Sequence, residues 1–136
     1  MYKYAMIKIG DRASLQRRIT FEDIKKYAEL IGDQNPLHLD EEYARKTIFG
    51  RPIAHGLLTA GLISNLLGNK LPGPGTVYLS QTFKFRAPVF PGDLIEACVE
   101  VVAKDENKRR LKLKTECRNE EGKTVLEGEA EVMFMD

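Results

Sequence analysis

Hydrophobic positions along the chain change period at about residue 76. Before that point they recur at helical spacing: Phe21, Ile24, Ala28 and Ile31 share one side of a helix over about residues 21 to 31. Thr20 is placed to cap its start, and Gly32 to end it in a left-handed conformation. Asp40 is a second cap, for a short helix reaching about Lys46. A third helix opens at Gly56 and runs to about Leu67; its residues are apolar on nearly every side, so it must be covered on most of its surface. Between the first two helices Pro36 disfavours a helical Asn35 and predicts a turn, and residues 47–55, with Gly50 and Pro52, read as loop. Pro72-Gly73-Pro74-Gly75 ends the helical half.

After Thr76 the pattern alternates. Ile95, Ala97, Val99, Val101 and Ala103 fall on one face, with Glu96, Cys98 and Glu100 on the other. Leu111, Leu113, Thr115 and Cys117 alternate with lysines and Glu116, and Leu126, Gly128, Ala130, Val132 and Phe134 alternate with Glu127, Glu129 and Glu131. With Thr76 to Phe85 these make four sequential antiparallel strands, turning near Asp105-Glu106-Asn107 and Asn119-Glu120-Glu121-Gly122. An antiparallel sheet curled around the apolar helix covers both elements, so the expected class is α+β.

The length of 136 residues fits a single domain over 1–136. A hydrophobic fraction of 43% supplies a core without disulfides. Lys plus Arg is 21 against 20 acidic residues, a net charge of +1, which gives no field to draw a polyanion and argues against a nucleic-acid partner. Cys98 and Cys117 are too few for a disulfide scaffold or a four-cysteine zinc site. The first ten residues carry no apolar run of the signal-peptide kind, and Leu57 to Leu67 falls short of the ~20 residues that span a bilayer, so a cytoplasmic protein without membrane contact is expected. Gly122-Lys123-Thr124 lacks the upstream glycine of a phosphate loop, Tyr78 stands where a dinucleotide motif beginning at Gly73 needs its third glycine, and no Gly-x-Ser-x-Gly elbow exists.

Candidate chemistry gathers in the irregular segments. The only histidines, His38 and His55, both lie there, and imidazole titrates nearest neutrality. Asp33 and His38 are separated by an Asn-Pro turn that can fold both side chains onto one water as an acid/base pair; Asp33 capping a turn beside a structural His38 fits the same spacing. Gly56 offers an unpaired N–H at the positive end of a helix, suited to an oxyanion, or simply a tight entry into that helix. Ser64 lies two turns further on a similar face, where a serine can also bond back to the preceding turn. Two histidines seventeen residues apart do not by themselves define a metal site.

Three motifs in order resemble one family: Asp33-x-Asn35-Pro36-x-His38, then Gly50-Arg51-Pro52-Ile53-Ala54-His55-Gly56 entering an apolar helix, then Phe85-Arg86-Ala87-Pro88-Val89-Phe90-Pro91-Gly92-Asp93. The chain is similar to MaoC-type (R)-specific enoyl-CoA hydratases from Ile9 to its last strand. That resemblance implies the hot-dog fold, an antiparallel sheet wrapped around a long central helix, and a homodimer. It implies Asp33 and His38 as the catalytic pair, Gly56 as the oxyanion-hole N–H, Ser64 as a support of Asp33, and Asn35, Pro36 and His55 as structural supports. The implied reaction is reversible hydration of a trans-2-enoyl-CoA to the (3R)-hydroxyacyl-CoA, with no metal or other cofactor. Lys84, Arg86 and Arg118 are available cations for a coenzyme A phosphate. A dehydratase of carrier-protein thioesters is the nearest rival; a hot-dog thioesterase and a non-catalytic acyl-CoA binding subunit rank below it.

Overall fold

The structure, a computed structural model, describes residues 3–135. Met1, Tyr2 and Asp136 lie outside the described residues, so the reading of the first ten residues is only partly covered. After a short 3-10 turn at Tyr4–Met6, the elements are β1 (Arg12–Arg18), α1 (Phe21–Ile31), α2 (Pro36–Leu39), α3 (Glu41–Arg45), α4 (Gly56–Asn69), β2 (Thr76–Gln81), β3 (Lys84–Phe85), β4 (Leu94–Asp105), β5 (Arg110–Arg118) and β6 (Thr124–Phe134). The strands form one antiparallel sheet in the order β1-β4-β5-β6-β2, with β3 also on β6.

Two strands depart from the sequence pattern. β1 was not expected: it lies at the sheet edge, and only Ala13 and Leu15 of its seven residues turn toward the core. The single strand expected over Thr76 to Phe85 is two, because the chain breaks at Thr82 and Phe83 to pass over Gly128 of β6. A Cβ on Gly128 would lie 2.6 Å from the carbonyl carbon of Thr82, so only glycine permits this crossing. The crossing is pinned by Thr82 N–H to the Glu129 carbonyl (3.0 Å) and Glu129 N–H to the Thr82 hydroxyl (3.1 Å).

The helix caps fall where expected. Thr20 Oγ1 accepts from Asp23 N–H at 3.1 Å, and the Asp23 carboxylate accepts from Thr20 N–H at 2.9 Å, a reciprocal pair that holds the Asp23 carboxyl below its ordinary pKa. Gly32 ends α1 at φ 87°. Asp40 Oδ1 accepts from the N–H groups of Glu42 and Tyr43. α4 crosses the concave face of the sheet, burying Ala60, Ile63, Leu66 and Leu67 against Ile95, Val99, Leu113 and Val132. Burying each such side chain contributes roughly 1.5–3 kcal/mol. Its opposite side, Leu57, Gly61, Ser64, Asn65 and Gly68, is exposed.

Candidate active site

The segment between α1 and α4 is irregular because Pro36 cannot continue α1, and the turn it imposes is tightly bonded. Asn35 caps α2 by accepting from Leu37 N–H at 3.0 Å, so the turn predicted at Pro36 is a single helical turn. That turn carries His38 inward. Its Nδ1–H donates to the Ile53 carbonyl at 2.7 Å, which leaves Nε2 as the ring nitrogen available to another partner. Only 9% of His38 remains exposed.

His55, the residue before α4, is 3% exposed. Its Nε2–H donates to the Asp33 carbonyl at 3.1 Å, tying the start of α4 to the loop that carries the carboxylate. Its ring stacks on His38, with centroids 3.9 Å apart and planes inclined by 30°, and it also meets Tyr27 at 4.8 Å. Burial, and secondarily the neighbouring His38, lower the His55 pKa, so this ring is held neutral.

Asp33 is exposed, and one carboxylate oxygen accepts from Asn35 N–H at 3.2 Å. Asp33 therefore caps its turn, and its carboxylate also lies close to His38. Asp33, His38 and His55 each offer a donor atom within 4.8 Å of the others. All three line one cavity of about 570 Å³, together with Gly56 and the apolar walls Ile53, Phe85, Val89 and Leu126. Gly56 is the first residue of α4, so its N–H has no partner inside the helix. A Cβ there would sit 2.5 Å from Phe85 Cε1, so the absent side chain is what lets Phe85 lie against the helix start.

Asp33, His38 and Gly56 thus converge, while Ser64 does not. It is exposed on α4, outside that cavity, and eight residues beyond Gly56 puts it about 12 Å along the axis. A bond from Ser64 to Asp33 within one chain is not made. The cations fare similarly: Arg86 pairs with Glu127 at 2.8 Å and Arg118 with Glu116 at 2.9 Å, so both are already engaged.

Sequence reasoning missed Tyr27 and Thr59 as cavity residues, and gave His55 only a supporting role inferred from resemblance. Thr59 carried a readable signal: it is a polar residue in an apolar helix, one turn after a histidine. The stack of His55 on His38 had none, because it depends on the depth at which two loops meet.

A long apolar helix held in the concave face of an antiparallel sheet, with an acid/imidazole pair at the helix start, defines a hot-dog protein with a polar site at the mouth of an apolar cavity. The chain belongs to the MaoC like domain family, whose model matches residues 6–123. It is 45% identical over 133 residues to an (R)-specific enoyl-CoA hydratase of Rhodospirillum rubrum, covering 98% of this chain and 92% of that protein. A 3-hydroxybutyryl-CoA dehydratase of Methylorubrum extorquens is 48% identical over 124 residues, 91% of this chain and 78% of that one. The solved structure of an (R)-hydratase from A. caviae involved in PHA biosynthesis superposes with a TM-score of 0.92 at 42% identity, covering 96% and 98% of the two chains.

Proposed function

We infer that the chain is an (R)-specific enoyl-CoA hydratase, adding water reversibly across the trans-2 double bond of an enoyl-CoA. The observation that carries this reading is the convergence of Asp33, His38 and the first residue of α4, Gly56, on one apolar cavity. Hydration joins a water oxygen to C3 and a proton to C2, with charge gathering on the thioester oxygen. The Gly56 N–H, at the positive end of α4, stabilises that oxygen; a preorganised donor of this kind contributes about 3 kcal/mol. Asp33 and His38 hold one water between two acceptors. The proton C2 receives is the one the water loses, passed through the pair on one face of the substrate.

The reading uses no metal. One nitrogen of each ring is already bonded to a backbone carbonyl, His38 Nδ1 to Ile53 and His55 Nε2 to Asp33. Asn35 and Pro36 set the turn, and the whole chain acts as one domain in the cytoplasm; among the described residues no helix is long and apolar enough to cross a membrane. A homodimer is part of the proposal, supported by the exposed stripe Leu57, Gly61, Ser64 and Gly68 on a helix whose other side is core, and by the free sheet edge at β2, where Tyr78 and Leu79 are about 40% exposed.

The test is loss of the conjugated absorbance of short and medium trans-2-enoyl-CoA esters, with chiral analysis of the product. Formation of the (3R)-alcohol is expected. An unchanged enoyl ester, a (3S) product or free coenzyme A would refute the reading, and a marked preference for a carrier-protein thioester would overturn the substrate assignment.

A further inference from the structure

Among the described residues, the buried side-chain polar atoms without a hydrogen-bond partner are His55 Nδ1, Thr59 Oγ1 and Arg110 Nε. The first two belong together. His55 and Thr59 are four residues apart, one turn of the helix start, and both line the same cavity. Each is almost wholly buried, at 3% and 1% exposure. Leaving either atom unsatisfied costs about 1–3 kcal/mol, so a pair of them on one wall calls for a shared partner.

The chemistry of the two atoms specifies that partner. His55 donates through Nε2 to the Asp33 carbonyl, so its Nδ1 is a lone pair and needs a donor. The Thr59 hydroxyl can donate one hydrogen, and its backbone N–H already reaches the His55 carbonyl at 3.4 Å. No bond joins Oγ1 to Nδ1 directly, so the bridging group must accept from one and donate to the other, which water does.

We propose that Thr59 is a positioning residue: through one internal water it satisfies Nδ1 of His55 and thereby holds that ring in the tautomer that fixes the Asp33 loop. Were the proton on Nδ1 instead, Nε2 would present a lone pair to the Asp33 carbonyl, and the tie between α4 and the loop would be lost. Thr59 acts only through His55; it is not a group on the reacting atoms. The consequence for turnover rests on the hydratase reading above, whereas the consequence for the ring does not.

The test is Thr59→Val, which keeps the shape and removes the hydroxyl, beside Thr59→Ser, which keeps the hydroxyl. In the resting protein the ¹⁵N resonance of His55 Nδ1 is expected to move toward that of an unbonded imidazole nitrogen in Thr59→Val and to stay in place in Thr59→Ser. In turnover, kcat is expected to fall about tenfold in Thr59→Val with KM little changed, and to recover in Thr59→Ser. An unmoved His55 resonance in Thr59→Val overturns the proposal, whatever happens to the rate. A rise in KM alone with that resonance unmoved shows the hydroxyl meeting substrate, which also overturns it. If the wild-type protein hydrates no enoyl thioester, the hydratase reading fails while the resonance shift still decides the role of Thr59.

Discussion

Adding one methyl group at Gly56 tests the oxyanion assignment with little disturbance elsewhere. The new Cβ in Gly56→Ala would lie 2.5 Å from Phe85 Cε1 and 2.8 Å from Cδ1, against an ordinary contact beginning near 3.4 Å, so the ring must retreat by about 1 Å. Phe85 is 55% exposed, and its ring can swing outward without opening the core. Alanine also leaves the unfolded chain less freedom than glycine, which offsets part of the lost packing. Stability should therefore change by less than about 1 kcal/mol, a Tm shift under about 5 °C. Catalysis should not be spared. The methyl occupies the approach to the Gly56 N–H, and a displacement of about 1 Å in a reacting geometry costs on the order of 100-fold. The assay is kcat/KM on a trans-2-enoyl-CoA ester beside a thermal melt. Gly56→Ala/Phe85→Ala identifies the source of the loss: a rate restored to that of Phe85→Ala blames the displaced ring, and a rate that stays low blames the methyl over the N–H. A Gly56→Ala enzyme with wild-type kcat/KM would refute the oxyanion role outright.

Asp33→Asn and His38→Gln should each lower turnover by about three or more powers of ten, and the double variant should be little worse than the worse single; near-normal single rates would end the shared-water mechanism. His55 has a pKa below the ordinary histidine value of 6.5 in the fold, so below about pH 6.5 the unfolded chain takes up a proton that the folded chain does not. The His55 contribution to stability is thus present above that pH and is lost as pH falls, and Tm measured from pH 8 to pH 5 should drop more steeply for wild type than for His55→Gln. Burial pushes the Cys117 thiol up to about 12, while Cys98 is only half-buried on the other face, so one thiol should be alkylated in the native protein and two in denaturant. Sedimentation at micromolar concentration should give a particle twice the 15.4 kDa of one chain; a 15.4 kDa species alone would remove the dimer.

Much of this architecture was legible because local rules and the core agreed. Thr20, Gly32 and Asp40 mark helix ends through capping chemistry that needs only neighbouring residues. The alternation from Ile95 to Val101 and from Leu111 to Cys117 reports one buried sheet face directly. β1 was not legible, since an edge strand with five exposed residues has almost no face to reveal. Nor was the break at Thr82, because it answers to Gly128, some forty-five residues later in the chain. For the site, the Asn-Pro turn announced that Asp33 and His38 could meet. Their anchors were silent, because His38 bonds the carbonyl of Ile53 and His55 that of Asp33, and a backbone acceptor leaves no residue signature. For Ser64 the resemblance outran the spacing: within one chain about 12 Å of helix separates it from Gly56, so the support it implies for Asp33 has no bond in a single chain.

The crossing at Gly128 links the outer sheet to the wall of the cavity. β3 reaches β6 only because the chain passes over a residue with no side chain, and the segment it delivers, Phe85 to Val89, is one wall of the cavity. A larger residue at 128 would meet the Thr82 backbone and displace that wall, including Phe85 where it lies against Gly56. A position with no part in the proposed chemistry thus supports one wall of the cavity through the path of the backbone alone.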